Sequence, residues 1–259
     1  MVGDEVEFYA SASKVEGMRG RPVLGAILQA IGGAAEARKH AEHKGLLEDA
    51  KTIARIPIYA YLGMTAGEFQ FEGARHTYFF HPYNVTRQNE RCVEVPLAWD
   101  EIRSSPGKSV LEIGNVLSHY YKITHEVVDK YEKATGVINE DIADFSPGKK
   151  YGLIVSISTL EHVGFDEEQK DAGKVLHAFD NIRGLLSAGG KAVFTFGLGY
   201  NPNIDSLAYS GKPAWVKWGF MRRDGKNKWR EAELGEAVGA KYGSPYPFAN
   251  CLAIGVIEK

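Results

Sequence analysis

Two cysteines, Cys92 and Cys251, are all that the 259 residues contain. They stand far apart, and no Cys-x-x-Cys pair exists, so neither a zinc or dithiol motif nor a disulfide-built scaffold is expected. A reduced, cytoplasmic setting is the simpler expectation. Long apolar runs are missing too: Gly, Pro or charge interrupts each of them well short of a membrane span. Met1 to Tyr9 is acidic and has no apolar centre, so no secretory leader is expected. The charge leans neither way, with 31 basic and 33 acidic side chains and a formal net charge of -2. No broad basic surface follows from that balance, and nucleic acid is not an expected partner. Internal repeats and low-complexity segments are also absent.

What is present suits one substantial α/β domain with an extension. Hydrophobic residues make up 44% and charged residues 25% of a 28.5 kDa chain, which is ordinary for a globular protein. Residues 1 to about 20 are polar and weakly patterned, as in a loosely packed arm. Pro22 suits a first helical turn, and Val23, Leu24, Ile27, Leu28 and Ile31 recur at helical spacing up to His43. His40 and His43 lie one turn apart, but no third ligand is placed beside them. They read as a solvated helix face, and no metal is expected. Helical character continues from Leu46 to Leu62, interrupted at Pro57. Phe69, Phe71, Tyr78 and Phe80 flank Glu72-Gly73 as the two arms of a hairpin. Residues 1–85 are therefore assigned to an N-terminal mixed α/β cap and 86–259 to the main domain.

The segment His81 to Arg91 is dense in hydrogen-bonding side chains. It reads either as a connector or as an arm folded over the edge of a sheet. Thr86 is placed to cap a helix through Val93, Val95, Leu97 and Trp99 toward Ile102. Beyond it, strand, turn and helix alternate. Val110, Leu111 and Ile113 form a buried strand entered from the Ser105-Pro106-Gly107 turn, with Glu112 near its carboxyl end and Gly114 at the turn after it. A helix or helix-like turn over Val116–Ile123 follows, then a strand from His125 to Val128 with Asp129 just past it. Asp129 falls seventeen positions after Glu112, and a carboxylate so placed suits the vicinal diol of a ribose. Glu132 is the substitute if that strand runs longer. Gly136 to Asn139 is a third strand, followed by Glu140, Asp141, Ile142 and Asp144. Asp141 and Asp144 are equally placed to cap the next turn.

Tyr151 to Ser158 is nearly all apolar, as a central parallel strand covered on both faces requires. The polar run Thr159-Leu160-Glu161-His162 stands at its carboxyl end, where open α/β sheets bind ligands. Asp166 to Ser187 has the pattern of a long amphipathic helix, and Lys191 to Phe196 that of a fifth strand. Gly197 to Asp205 is expected to be a loop. Arg222, Arg223, Lys226, Lys228 and Arg230 lie between Met221 and Asn250 on a solvated hairpin, interleaved with Asp224, Glu231 and Glu233.

Leu111-Glu112-Ile113-Gly114 resembles the first motif of class I S-adenosylmethionine (SAM)-dependent methyltransferases. Leu160-Glu161-His162-Val163 resembles the signature after their fourth strand, and Leu185-Leu186-Ser187-Ala188-Gly189-Gly190-Lys191 resembles the connection into their fifth. The resemblance covers roughly residues 86 to 259. It implies a Rossmann-like, seven-stranded, mostly parallel sheet with helices on both faces, and SAM as the cofactor. Ala214–Met221 and Asn250–Ile257 look like the antiparallel pair of strands that closes the family's sheet. By the same resemblance Asp141 would accept from the adenine amino group while Ile142 packs on the ring. The cofactor-binding candidates are Glu112, Gly114, Asn115, Asp129, Asp141, Ile142, Ser158, Thr159 and Arg91. The family's motif continues with two further glycines, where this chain has Asn115-Val116-Leu117.

A methyl acceptor oxygen needs a base near neutral pH, and His162, Glu161 and His119 are the candidates, with His162 favoured. His81, Tyr83, Tyr200, Asn201 and Tyr246 are the candidates for contact with the acceptor. No Asn-Pro-Pro-Tyr signature for base or glutamine amino groups appears. The expected acceptor is a small molecule or a glycan, methylated at oxygen. Two rivals share part of the pattern. An NAD-linked oxidoreductase would need a Gly-x-Gly-x-x-Gly after Ile113, which is absent. A non-catalytic module of the same fold would account for the missing glycines.

Overall fold

The computed structural model describes residues 54–55, 57–59, 61–62 and 67–259. The arm at residues 1–20, the helix from Pro22 to His43 and the His40–His43 pair lie outside the described residues, as does most of the cap. Residues 54–55, 57–59 and 61–62 are helical.

Five parallel strands carry the domain: β3 (Val110–Ile113), β4 (Glu126–Val128), β5 (Val137–Ile138), β6 (Tyr151–Ile157) and β7 (Leu186–Gly197). Three antiparallel strands extend the sheet beyond β7: β10 (Cys251–Glu258), β8 (Val216–Asp224) and β9 (Lys228–Ala232). The order across the sheet is β5-β4-β3-β6-β7-β10-β8-β9. Among the described residues the sheet therefore has eight strands, where seven were expected. The basic stretch expected to be only a solvated hairpin pairs back on β8 from Lys228 to Ala232, and Trp229 buries its ring.

Side chains alternate between the two faces of each strand, and each face has its own core. Leu111, Ile113, Ile154 and Phe194 pack with Val175, Phe179 and Ile182 of helix α2 (Lys174–Leu185) and with Ile204 and Ala208 of α3 (Pro202–Ser210). On the opposite face Leu153, Val155 and Ile157 meet Val95 and Ala98 of α1 (Arg91–Arg103). The hairpin β1 (Glu68–Phe71) and β2 (Ala74–Thr77) lies on this second face, with Phe69, Phe71 and Tyr78 packed against Val93, Leu97 and Met221. Its Phe71 ring fills the space over Gly219 of β8, where a Cβ would stand 2.7 Å from Cζ. The hairpin therefore belongs to the packing of the main sheet.

Between the strands one segment takes one of its expected forms and three differ from expectation. Val116–Ile123, expected as a helix or a helix-like turn, takes the second form, a short 3-10 turn at Leu117–His119, whose entry is held by Glu112 accepting the N–H groups of Val116 and Leu117 at 2.9 and 2.7 Å. The long helix expected from Asp166 starts at Lys174. Before it, Gly164 and Asp171 close a loop through a 2.8 Å main-chain bond. Conversely, α3 occupies part of the expected Gly197–Asp205 loop: Pro202 starts it and the Asn201 side chain caps it, a combination suited to a first helical turn. The helix expected after Thr86 begins at Arg91, and the Thr86 hydroxyl instead ties His81 N–H to the Phe79 carbonyl.

Among the described residues no helix is long and apolar enough to cross a membrane, and no cluster of side chains suits a metal ion. Both cysteines are buried free thiols.

Candidate active site

The parallel strands end on one edge, and there a cavity of about 440 Å³ opens beyond β3, β4, β5 and β6. Its apolar walls are Ile113, Val116, Val128, Ile142 and Val163. Among the described residues five carboxylates, Asp129, Glu132, Glu140, Asp141 and Glu167, line it against one lysine, Lys130.

The turn after β3 forms one wall. Gly114 sits at φ 84° and its N–H donates to the Val128 carbonyl at 2.8 Å. No Cβ fits there, because it would stand 2.0 Å from Thr159 Oγ1. Glu112 lies behind this wall, fully buried. Besides the two loop N–H groups, its carboxylate meets His125 Nε2 at 2.8 Å. The sequence placed this carboxylate toward a ligand; here it shapes the turn. Asn115 does line the cavity, and its side chain joins Glu132 at 2.7 Å and Ser118 at 2.6 Å.

At the end of β4, Asp129 Oδ1 accepts the N–H groups of Tyr131 and Glu132, both at 2.8 Å, while Oδ2 accepts that of Asn115 at 3.1 Å. A carboxylate offers about four acceptor sites, so one remains, on a residue that lines the cavity. Asp141 and Glu167 share Lys130 and Lys174 in a four-membered ion cluster with N–O distances of 2.6 to 2.9 Å. Burial raises the Asp141 pKa, but the hydrogen bonds from Lys174 and Lys130 outweigh it and hold the carboxyl below its usual range. Lys130, Glu140 and Glu167 were not singled out from the sequence. Only the loop that replaces the first half of the expected helix brings Glu167 here.

The end of β6 supplies the opposite wall. Ser158 adopts φ 38°, the left-handed region, a costly conformation for a residue with a Cβ and one that concentrates at binding sites. Its N–H donates to Thr195 O at 2.8 Å and its hydroxyl to Glu94 Oε1 at 2.8 Å. Thr159 and His162 complete this wall. His162 Nδ1 meets Asp166 Oδ2, and the Tyr200 hydroxyl donates to the same oxygen at 2.7 Å. Burial pushes the Asp166 carboxyl up, but these two bonds bring it below its usual range.

Under this wall lies a buried ionic network. Arg91 is paired with Glu94, which also accepts from the Thr195 hydroxyl at 2.9 Å. Glu161 stands beside them at 4% exposure, and its Oε2 has no hydrogen-bond partner among the described residues. Burial, and next the neighbouring Glu94 charge, push the Glu161 pKa up to about 8. The folded protein thus binds the Glu161 proton more tightly than the unfolded chain, whose value is near 4.5. Its contribution is fully present below that value and is lost as pH rises toward 8. Urea titrations at pH 5 and pH 8.5 are expected to show a smaller loss of stability for Glu161→Gln than for the parent.

Of the proposed site residues, Asn115, Asp129, Asp141, Ile142, Ser158, Thr159 and His162 surround one cavity. Gly114, Glu112, Arg91 and Glu161 stand behind its walls. His119 stacks on Tyr83 at 4.6 Å and reaches Glu132 at 3.3 Å. His81 is 2% exposed and lies between Phe79 and Tyr120, away from the cavity. Asn201 is buried; it caps α3 and ties the Glu161 carbonyl at 2.7 Å. Tyr200 packs on His162 and Tyr242. Tyr246 lies on a different cleft.

No family model and no curated protein matches the chain. Solved structures give partial, remote likenesses. The N-methyltransferase NodS from Bradyrhizobium japonicum WM9, in complex with S-adenosyl-L-homocysteine, is 17% identical; 63% of this chain and 85% of that one are covered, with a TM-score of 0.34. For the sugar N-methyltransferase KedS8 from Streptoalloteichus sp ATCC 53650 the values are 12%, 66%, 89% and 0.33. Magnesium protoporphyrin IX methyltransferase from Synechocystis PCC 6803, with bound SAM, gives 13%, 83%, 100% and 0.37. These three solved structures are of methyltransferases, two of them holding S-adenosyl-L-homocysteine or SAM.

Proposed function

We propose that the chain binds SAM in the cavity at the carboxyl edge and transfers its methyl group to a small-molecule or glycan acceptor. One observation carries the reading: five carboxylates and a set of apolar side chains enclose the cavity, with one lysine among them. Such walls suit a cationic adenosyl compound. They oppose the pyrophosphate of a dinucleotide, which wants a helix N-terminus and unpaired N–H donors. Here the chain after β3 makes a short 3-10 turn, and Glu112 already accepts its N–H groups. An NAD-linked enzyme is disfavoured on the same ground.

The residues present fit the cofactor. Asp129 and Glu132 at the end of β4 offer acceptors for ribose hydroxyls. Ile113, Val128 and Ile142 offer apolar surface for a planar base, and the Asp141–Lys130–Lys174 cluster fixes the rim beside it. SAM, when bound, supplies a methyl group made electrophilic by its sulfonium. The chain's own task is to orient the acceptor, exclude water and take a proton. For an oxygen acceptor the residue for that task is His162. Asp166 engages Nδ1, which leaves Nε2 to accept, and Tyr200 steadies Asp166 from the other side.

Calorimetry with S-adenosylhomocysteine tests the reading. Micromolar-range binding is expected, with no binding of NAD. Asp129→Ala is expected to weaken it at least tenfold, or about 1.4 kcal/mol. His162→Gln is expected to leave it within threefold while lowering methyl transfer by about two to four orders of magnitude. Absence of binding would remove the enzyme reading and leave a non-catalytic module of this fold.

A further inference from the structure

A second cleft, of about 540 Å³, opens on the same edge of the sheet beyond β8 and β10. Arg222, Arg223 and Asp224 at the end of β8 line it. So do Glu236 of the one-turn helix α4 (Leu234–Ala237) and Lys241 and Tyr246 of the loop that returns to β10. Its two acids are already neutralised from outside. Arg230 of β9 holds Glu236 through two bonds of 2.6 and 3.1 Å, and its Nε stands 3.6 Å from Asp224.

The cations of the cleft have no such partners among the described residues. Arg222 donates to the Glu236 carbonyl at 2.8 Å, and Arg223 to the Pro247 carbonyl at 2.7 Å. Neither guanidinium forms an ion pair. Arg223 is held in place by the Tyr246 ring, 5.1 Å from the guanidinium carbon to the centroid. Its Nε is buried without a hydrogen-bond partner. Burial accordingly pulls the Arg223 pKa below its ordinary value, against smaller upward effects of Cys92, Glu90 and Tyr246. Arg223 is half-buried, so the cost falls on its Nε, a donor taken out of water without an acceptor, and an oxyanion offers the guanidinium N–H···O bonds matched to its planar fork.

We propose that this cleft binds the phosphate group of a small molecule through the cations that line it, Arg222, Arg223 and Lys241. The assignment goes beyond the proposed methyl transfer and does not depend on it. Tyr242, whose ring meets Tyr200 at 5.3 Å, links the loop of the cleft to the wall that carries His162.

Inorganic phosphate, acetate and chloride at matched ionic strength are the probes, followed by calorimetry and by chemical-shift titration of the full chain. Phosphate is expected to saturate one site and to outcompete both other anions. Arg222→Gln, at an exposed position, is expected to weaken phosphate at least tenfold, and Lys241→Gln more mildly. Arg103→Gln, an equal change of charge at the end of α1, is expected to leave it within twofold. The proposal is overturned if phosphate fails to saturate, if acetate or chloride binds as tightly, or if Arg222→Gln and Arg103→Gln behave alike. S-adenosylhomocysteine binding, measured on the same samples, reports separately on the methyltransferase reading.

Discussion

Gly114→Ala is expected to unfold at markedly lower urea concentration than the parent and to lose S-adenosylhomocysteine binding. Two separate costs arise at this position. A left-handed backbone, here φ 84°, costs a residue with a Cβ about 1–2 kcal/mol. The new methyl group would also stand 2.0 Å from Thr159 Oγ1 and 2.9 Å from Thr159 Cβ and Cγ2. Overpacking of this kind costs about 1–3 kcal/mol. Thr159 is itself a wall of the cavity, so the shift that relieves the clash also deforms the site. The double variant Gly114→Ala/Thr159→Ala removes two of the three close contacts and keeps the backbone cost. It is expected to recover about 1 kcal/mol or more relative to additivity, as contacting pairs do. Strict additivity in the denaturation cycle would show that the two residues do not meet.

Arg91→Met is expected to cost about 3–5 kcal/mol, because it leaves a carboxylate buried without its cation. Glu94 is fully buried and spends Oε1 on the hydroxyls of Ser158 and Thr195, with Oε2 facing Arg91. Arg91→Met/Glu94→Gln removes both charges, keeps an acceptor for the two hydroxyls, and is expected to regain at least half of the loss. A deficit below about 1 kcal/mol for Arg91→Met would place this ion pair in a solvated environment. The backbone of Ser158 offers a second readout. Its left-handed conformation is held in part by Glu94, so Arg91→Met is expected to weaken ligand binding as well as stability.

Much of the scaffold was legible because it is written locally. Apolar runs bounded by turns located β3, β4, β6 and β7, and the Phe69/Phe71 alternation located the β1–β2 hairpin. The errors fell where a distant or competing hydrogen bond overrode a local pattern. The long helix before β7 starts late because Gly164, Asp171 and Glu167 close a loop in front of it. The hairpin read from the basic stretch is present, but its charges read as solvated and did not show that β9 joins the main sheet through Arg222 and Phe220 or that Trp229 is buried.

The site divides in the same way. Sequence by itself determined which chemistry stands at the strand ends: Asp129, Asp141, Ser158, Thr159 and His162 follow apolar runs, and parallel crossovers bring such ends to one edge. Only the tertiary structure decided which oxygens remain to meet a ligand. Glu112 and Asp129 are both carboxylates at strand ends, but the first is consumed by the loop after β3 while the second keeps an acceptor and lines the cavity. Lys174, from a helix, and Glu167, from a loop, join Lys130 and Asp141 there, and Arg230, from β9, frees Arg222 and Arg223 of their neighbouring acids. Hydrogen-bond and charge partners are set by approach in space, and the spacing of residues along a chain does not carry that information.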